Sequence, residues 1–274
     1  MIQSNLFSKE LLDKLSDAGS VAVLTGAGIS AESGVPTFRG EEGLWKKFRP
    51  QELATVEAFM RNPELVWAWY RHRRELLSTA RPNPGHRALA ELEGRCRDFT
   101  LITQNIDGLH RQAGSRTILE LHGNIRRNRC MECGQRYEDI ALPQEPSIPL
   151  CRCGGKIRPD VVWFGESLPG ETLEQAFVAS TRCRVFLCVG TSAVVYPAAS
   201  LPIVALQGGA YVVEINIEPT ALSPQVHQFI QGPSGEVLPL MLKALDRYEN
   251  QAGQADPRNV QIHDRQESPG GRYS

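Results

Sequence analysis

The most constraining feature of this 274-residue chain is the segment 21–40, in which a short apolar run stops at a glycine-rich turn. The run Val21-Ala22-Val23-Leu24 is typical of a strand buried on both faces of a parallel sheet. Gly26 and Gly28 then allow the backbone to turn sharply and to approach a pyrophosphate without side-chain bulk. The helix that follows would present unpaired N–H groups and its positive dipole end to the same anion. The segment therefore predicts an α/β fold that begins with a nucleotide-binding turn.

Later segments repeat this pattern of an apolar run followed by polar residues. Predicted strands lie at 99–103, 118–121, 185–189 and 211–215, and helical spacing separates them. Before the first strand, Ser8 is a predicted N-cap of an amphipathic helix. Strands that alternate with helices imply βαβ crossovers and a doubly wound, Rossmann-like parallel sheet. Ligands of such sheets bind beyond the carboxyl ends of the strands, which is where the polar clusters lie.

Four of the seven cysteines form two close pairs, Cys130 with Cys133 and Cys151 with Cys153. Four thiolates in a stretch without histidine suit tetrahedral zinc (Zn²⁺) in a closed structural site, since a catalytic zinc keeps one position for water or substrate. A single residue separates Cys151 from Cys153, and this short spacing strains simultaneous coordination by Cys151. The other three cysteines are expected to be ordinary buried thiols.

We expect two domains and a tail. The Rossmann-like domain would comprise residues 1–35, 81–123 and 163–250. A smaller helical and zinc-binding domain would be inserted from residues 36–80 and 124–162. The polar segment 251–274 is expected to be a disordered tail.

Composition limits the classes of partner. The chain has 30 Lys and Arg against 31 Asp and Glu, a formal net charge of −1. It therefore lacks the basic field that attracts nucleic acid or an anionic membrane, and we expect neither partner. No secretory signal opens the sequence, and no apolar run approaches the ~20 residues that span a bilayer. We expect a cytoplasmic protein. The sequence does not determine its oligomeric state, and we expect a monomer.

Several motifs resemble those of the sirtuin family. Residues 26–40 contain every fixed position of the sirtuin signature GAG-x-S-x-x-S-G-[IV]-P-x-F-R-G. Residues 103–110, TQNIDGLH, and the pair His122-Gly123 resemble two further motifs of the family. With the cysteine pairs and Gly190-Thr191-Ser192, the resemblance covers about residues 20–239. It implies an NAD-dependent enzyme that removes acyl groups from lysine in proteins or peptides.

The resemblance also implies the reaction and the residues that carry it. The acyl oxygen would attack the nicotinamide ribose, nicotinamide would leave, and the acyl group would end on ADP-ribose. His122 would be the general base, a role that suits a histidine in the ligand crevice at a strand end. Asn105 and Asp107 would hold the nicotinamide carboxamide and an ordered water. The expected NAD-binding residues are Gly26, Ala27, Gly28, Ser30, Phe38, Arg39, Gln104, Asn105, Asp107, Gly190, Thr191, Ser192, Asn216 and Glu218.

Residues 161–166, VVWFGE, resemble the substrate-binding strand of the family. An extended peptide would add to such a strand through backbone hydrogen bonds. Val162 and Phe164 would then line the acyl-lysine tunnel. The alternative interpretation is a plain core strand.

Tyr70 and Arg73 lie three residues apart in a predicted helix and therefore share one face. A phenol beside a guanidinium forms a carboxylate receptor, because the guanidinium offers paired donors and the hydroxyl adds a third. A solvated basic helix face is the alternative. The Y-x-x-R pattern and the small residue Ala54 resemble class III sirtuins, which remove succinyl, malonyl or glutaryl groups.

The sequence thus predicts an NAD-dependent lysine deacylase for succinyl and malonyl groups, with acetyl as a further substrate. An enzyme that is predominantly a lysine deacetylase is the alternative within the family, in which Tyr70 and Arg73 only tolerate a longer acyl chain. An ADP-ribosyltransferase and a non-catalytic NAD-binding regulator are alternatives from other classes.

Overall fold

The computed structural model describes residues 6–17, 19–37, 49–138 and 148–254. The strands in this part are β1 Ser20–Thr25, β2 Asp98–Thr103, β3 Ile118–Glu120, β4 Gly123–Cys130, β5 Arg136–Tyr137, β6 Ile157–Val161, β7 Val185–Val189, β8 Tyr211–Asn216 and β9 Gln228–Gln231. The helices are α1 Lys9–Ser16, α2 Gly28–Ala31, α3 Pro50–Leu53, α4 Val56–Arg61, α5 Pro63–Thr79, α6 Pro84–Arg95, α7 Leu109–Gln112, α8 Gly170–Arg182, α9 Leu201–Gln207 and α10 Ser234–Gln254.

Six parallel strands form the main sheet in the order β3-β2-β1-β7-β8-β9. Numbered within the sheet alone, this is the 3-2-1-4-5-6 order of Rossmann folds, and the predicted fold class is confirmed. The strand order reverses between β1 and β7, which is where such sheets bind their ligands. Strand β9 is not predicted by the sequence, because its four residues contain only one buried apolar side chain, Ile230.

Both faces of the sheet are covered, as the continuous apolar strands predict. Side chains alternate along β1, so that Val21 and Val23 join one apolar cluster while Ala22 and Leu24 join the other. Helices α1, α6 and α10 supply the first cluster, and α8 and α9 supply the second. The side chain of Ser8 accepts a hydrogen bond from the Leu11 N–H at 3.1 Å, which confirms the predicted N-cap of α1.

A second sheet of three antiparallel strands, in the order β5-β4-β6, lies with helices α3, α4 and α5 around a separate apolar cluster. Its largest fully buried side chains are Phe59, Trp67 and Trp163. Helix α5 begins at Pro63, and the Asn62 side chain caps it by accepting from the Leu65 N–H at 3.0 Å. Residues 50–79 therefore contain three helices.

The segment predicted as a strand at 161–166 is a strand only at Val161, where β6 ends. Beyond it, the Val162 N–H donates to the His122 carbonyl and the Phe164 N–H to the Ala54 carbonyl, both at 2.9 Å. The chain then turns through Gly165, whose φ of +86° favours glycine. The continuous strand therefore ends at Val161, and Phe164 forms an isolated parallel bridge with Thr55. The peptide-binding role of the segment stays a prediction.

The described part of the chain ends at Gln254, the last residue of α10, so this helix includes the first four residues of the predicted tail. The remaining tail residues, 255–274, lie outside the described residues. Among the described helices, none combines the length and the hydropathy of a membrane span. The division into two domains stays a prediction.

Candidate active site

A cavity of about 900 Å³ lies at the carboxyl ends of β1, β2, β7 and β8 and extends to α5 and the turn that follows β6. The structure brings most of the predicted site residues to its wall. These are Gly26, Ala27, Gly28, Ala54, Tyr70, Arg73, Gln104, Asn105, His122, Val162, Phe164, Gly190, Thr191, Ser192, Asn216 and Glu218. Ser30 and Asp107 lie behind the wall, and Phe38 and Arg39 lie outside the described residues.

The two glycines after β1 meet the loop that follows β7. A Cβ atom on Gly28 would lie 2.7 Å from the Gly190 Cα, and one on Gly26 would lie 2.8 Å from the Gly190 carbonyl oxygen. Larger residues would therefore push the two loops apart. Glycine is required here for the packing of two loops at the switch point of the sheet, a reason that the sequence alone did not reveal.

The glycine-rich turn offers fewer free N–H groups than the sequence predicts, since helix α2 has only four residues. The Gly28 N–H bonds to the Gly190 carbonyl at 2.8 Å and the Ile29 N–H to the Gly26 carbonyl at 3.3 Å. Ala27, which lines the cavity between the two glycines, has no such backbone bond among the described residues. Its amide is the donor that the turn leaves for an anionic ligand.

The His122 imidazole is held in the neutral form that a general base requires, with its free lone pair on Nε2. Its Nδ1 atom lies 2.8 Å from the Gln104 carbonyl oxygen, which only accepts, so Nδ1 carries the hydrogen and Nε2 carries the lone pair. Burial holds the pKa of His122 below its ordinary value of 6.5, although the Gln104 carbonyl works in the opposite direction. The imidazole is therefore neutral at neutral pH, and Nε2 is able to accept a proton.

A buried hydrogen-bond network holds Asn105 at the cavity wall. The Asn105 side-chain nitrogen donates to the Gly26 carbonyl at 3.0 Å and to the Ser30 hydroxyl at 3.2 Å. Ser30 in turn donates to the Asp107 carboxylate at 2.8 Å. Because its N–H groups are used in this way, Asn105 retains its amide oxygen for a ligand. We expect Ser30 and Asp107 to act through Asn105 and not by direct contact.

At the other side of the sheet edge, Thr191 joins the loops after β2, β7 and β8. Its hydroxyl accepts from the Gln104 side chain at 3.0 Å, and its carbonyl accepts from the Asn216 side chain at 2.9 Å. The side-chain amides of Gln104 and Asn216 are thus both held by the loop that follows β7. We refer to this half of the cavity, formed by Gly26, Ala27, Gly28, Gln104, Asn105, His122, Gly190, Thr191, Ser192, Asn216 and Glu218, as the sheet end.

Helix α5 places Tyr70 and Arg73 together in the opposite half of the cavity. The two side chains are 3% and 7% exposed, so a solvated basic face does not describe this pair. The Trp69 ring lies edge-on to Tyr70 at 4.7 Å, and the Arg73 guanidinium carbon lies 5.0 Å from the Trp69 ring centre. Ala54 and Phe164 complete the wall. We call this half, formed by Ala54, Trp69, Tyr70, Arg73, Val162, Trp163 and Phe164, the acyl end.

Burial dominates the electrostatics of the acyl end. It raises the pKa of Tyr70 to about 12, against the opposing effect of Arg73. It lowers the pKa of Arg73, whereas the nearby Tyr70 and Asp107 raise it. An arginine has an ordinary pKa far above neutrality, so Arg73 is a cation and Tyr70 a hydroxyl at neutral pH. A ligand carboxylate in this half would therefore meet donors in a weakly screened environment.

Three residues of the region were not identified as functional from the sequence: Arg158, Trp163 and Glu166. Arg158 donates to the Glu166 carboxylate at 2.6 Å and lies against the Trp163 ring. The sequence does hold one signal, because Arg158 stands in a strand whose five residues are all buried. A charge in such a strand requires a partner.

The four paired cysteines form a metal-binding cluster away from the cavity. Their Sγ atoms all lie within 4.8 Å of one another, with 3.5 Å between Cys130 and Cys153 and 3.6 Å between Cys133 and Cys151. Tetrahedral zinc with Zn–S bonds of about 2.3 Å places its sulfurs about 3.8 Å apart, so the thiols fit the ion.

The short spacing between Cys151 and Cys153 does not remove the Cys151 thiol from the cluster. The Cys151 N–H donates to the Gly155 carbonyl at 2.8 Å, and the Gly154 N–H returns to the Cys151 carbonyl at 2.9 Å. This tight turn brings Cys151 and Cys153 to one point in spite of their short spacing. The remaining cysteines lie elsewhere, Cys183 and Cys188 buried and Cys96 half-buried, as expected of ordinary thiols.

Comparisons with known proteins agree with this geometry. The family model described as "Sir2 family" matches residues 26–197. The chain is 55% identical over 236 residues to NAD-dependent protein deacylase 2 of Pyrobaculum aerophilum, covering 86% of this chain and 94% of that protein. It is 57% identical over 207 residues to NAD-dependent protein deacylase of Aquifex aeolicus, covering 74% and 86%.

Solved structures show the same similarity. A Sir2 homolog–NAD complex superposes with a TM-score of 0.80 at 44% identity, covering 89% of this chain and 95% of that one. A Sir2–p53 peptide–NAD⁺ complex superposes with a TM-score of 0.74 at 34% identity, covering 90% and 99%.

Proposed function

The chain belongs to the Sir2 family and is an NAD-dependent protein deacylase with a four-cysteine zinc site, and from this we propose which acyl groups it removes. It removes succinyl and malonyl groups from lysine, and acetyl groups as well, with nicotinamide and O-acyl-ADP-ribose as products. The observation that carries the proposal is the buried pair of Tyr70 and Arg73 on the cavity wall.

A carboxylate is stable at the acyl end only where donors pair with it. An acidic acyl chain carries its charge to a part of the cavity wall where Tyr70 and Arg73 are buried, and a buried charge is costly unless it is paired. Arg73 supplies a matched pair of donors and Tyr70 a third. Ala54 leaves room for the longer chain, because its side chain is a single methyl group.

The residues of the sheet end perform the chemistry, which is common to every acyl group. When bound beside these residues, NAD would supply an electrophilic ribose carbon and nicotinamide as the leaving group. His122 takes a proton from a ribose hydroxyl at Nε2, while Gln104 holds Nδ1–H. Asn105 orients the carboxamide with its amide oxygen, Ala27 donates to a phosphate, and Asn216 and Glu218 border the adenosine.

The substrate peptide lies along the turn after β6, with the acyl-lysine between Val162 and Phe164. The N–H groups of residues 162, 163, 164 and 166 are already bonded within the chain, so the peptide would rely on the Gly165 N–H and on carbonyl groups. This is a weaker backbone match than a full added strand. Selection among substrates would then depend more on the acyl group than on the peptide.

A predominant deacetylase is the second candidate, and one observation favours it. Asp107 lies close enough to Arg73 to raise its pKa, so Arg73 has a partner in the protein that could make its role structural. In that case the pair would support the fold of the cavity and contribute nothing to acyl selection.

A panel of peptides tests the proposal. One peptide sequence carrying succinyl-, malonyl-, glutaryl-, acetyl- or unmodified lysine is incubated with the wild-type protein, with and without NAD. We expect nicotinamide release and deacylated peptide with the succinyl and malonyl forms, at a kcat/KM equal to or above that for acetyl. Turnover of acetyl-lysine alone would establish the deacetylase, and radiolabel transfer from NAD to protein would establish an ADP-ribosyltransferase.

A further inference from the structure

Arg158, Trp163 and Glu166 form an assembly at the acyl end that the proposed reaction does not use; Arg158 and Trp163 are buried, and Glu166 is half-buried. Arg158 and Trp163 are each 2% exposed, and the Arg158 guanidinium carbon lies 3.2 Å from a Trp163 ring centre. Arg158 makes paired bonds to the Glu166 carboxylate at 2.6 and 2.8 Å. Glu166 also accepts from the Trp163 N–H at 2.8 Å. Trp163 is thus held at the face of its ring by Arg158 and at its backbone N–H by Glu166.

The edge of that indole contacts Tyr70. Trp163 Nε1 donates to the Tyr70 hydroxyl oxygen at 2.8 Å. An indole nitrogen donates only, so the phenol oxygen is the acceptor in this bond. Its own proton remains, and in the described part of the chain the Tyr70 hydroxyl donates no hydrogen bond.

The neighbours of Tyr70 limit where this proton can point. Trp163 cannot accept it, and Arg73 carries donors only. Burial raises the pKa of Tyr70 to about 12, so the proton stays on the oxygen at neutral pH. Tyr70 lines the cavity, and a ligand oxygen there is an acceptor that the proton can reach.

We propose that Trp163, clamped by Arg158 and Glu166, is a positioning residue that directs the Tyr70 hydroxyl proton into the cavity, where it donates to an acyl carboxylate. The inference rests on the proposed function, since only an acidic acyl group carries that acceptor at its end. Without the indole donor, the phenol oxygen becomes free to accept from another group and its proton is no longer directed. Recognition of the carboxylate then weakens, whereas a neutral acyl group loses no bond.

The ion pair of the buried Arg158 and the half-buried Glu166 carries a desolvation cost. Breaking such a pair leaves an unpaired charge, and an apolar substitute is often as stable, so the pair is better explained by the geometry that it fixes. In this structure the fixed geometry is that of the Trp163 indole, whose N–H group contacts Tyr70.

The test is the Trp163→Phe variant, which keeps an aromatic ring against Arg158 but removes the donor. We expect the ratio of kcat/KM for succinyl-lysine to that for acetyl-lysine to fall about fivefold, mainly through KM for the succinyl peptide. Trp67→Phe is the matched control, because Trp67 is equally buried and its indole donates to the Ile157 carbonyl at 3.0 Å, outside the cavity. The Trp67→Phe ratio should stay at the wild-type value.

A double-mutant cycle with Tyr70→Phe separates positioning from packing. Once the hydroxyl is absent, Trp163→Phe should cause no further fall in the ratio. If the Trp163→Phe protein does not fold, Arg158→Lys is measured in the same way, since it keeps the charge beside Glu166 but loses the flat stacking. We expect a fall of about threefold in that variant.

An unchanged ratio in these variants, or a further fall on the Tyr70→Phe background, would overturn the inference. That result leaves the proposed function intact if Arg73→Met still loses succinyl activity selectively. A wild-type protein inactive on acidic acyl groups would instead reject the proposed function, and this inference with it.

Discussion

The two ends of the cavity are built in different ways. The sheet end consists of short contiguous motifs that follow parallel strands, and its loops hold one another through backbone contacts such as Gly28 against Gly190. The acyl end consists of side chains far apart in sequence, such as Tyr70 and Trp163, which hold one another through an indole bond. The strand order determines the first arrangement, and side-chain packing determines the second.

This difference separates chemistry from selection. Substitutions at the sheet end should slow the removal of every acyl group by the same factor. Substitutions at the acyl end should change the ratio between acyl groups. The following predictions test that separation, beginning with the largest effect.

We expect His122→Ala to reduce kcat/KM for succinyl and acetyl peptides equally, by about 10²–10⁴-fold, because the variant lacks the base at Nε2. Nicotinamide release from each peptide is the measurement, with NAD affinity and the melting temperature nearly unchanged. His72→Ala is the control, since His72 is exposed on α5. A variant within about tenfold of the wild type would exclude His122 as the base.

Removal of zinc should act on the acyl end first. Strand β6 leads from the cysteine cluster to Arg158 and Val162, and Ile157 pairs with Cys130. We expect Cys130→Ser to lose zinc and to lower the melting temperature by about 10 °C.

Metal analysis should give one zinc per wild-type chain and should give the same for Cys96→Ser, whose thiol lies outside the cluster. In Cys130→Ser, calorimetric affinity for acyl-peptide should fall more than affinity for NAD. Wild-type protein that contains no zinc when purified without chelators would reject this assignment.

Ala27→Val should raise KM for NAD by about tenfold and leave KM for both peptides within about twofold, because the added methyl groups crowd the turn beside the Ala27 amide, which makes no backbone hydrogen bond within the described residues. Steady-state kinetics with each substrate varied in turn provides the measurement. Equal increases in KM for NAD and for peptide would show that the glycine-rich turn does not bind NAD.

The sequence predicted the sheet end well because each of its motifs is contiguous and lies at a strand end. It predicted that Gln104, Asn105 and His122 lie in the crevice at the strand ends, and all three line the cavity. It did not show that Gly28 is required by Gly190, because the strand order that brings these loops together is not a local property.

The acyl end was predicted only in part. Helical spacing brought Tyr70 and Arg73 to one face, and the structure buries both. The support behind them was missed, because Arg158 lies far from Tyr70 in the sequence and reaches it only through the Trp163 ring. The sequence also did not show that the strand ends at Val161, because the loops that bond to Val162 and Phe164 are remote in sequence.

The central claim is that the acyl end selects the acyl group while the sheet end performs the reaction. The most direct test is the succinyl-to-acetyl ratio of kcat/KM in wild type, Arg73→Met and the control Arg71→Met, whose arginine lies over the Trp67 ring on the same helix. Charge-assisted hydrogen bonds contribute about 1.5–3 kcal/mol, and each ~1.4 kcal/mol is tenfold in rate. We predict a ratio lowered by about 10²-fold in Arg73→Met and unchanged in Arg71→Met. Parallel loss of succinyl and acetyl activity in Arg73→Met would contradict the account and make the pair structural.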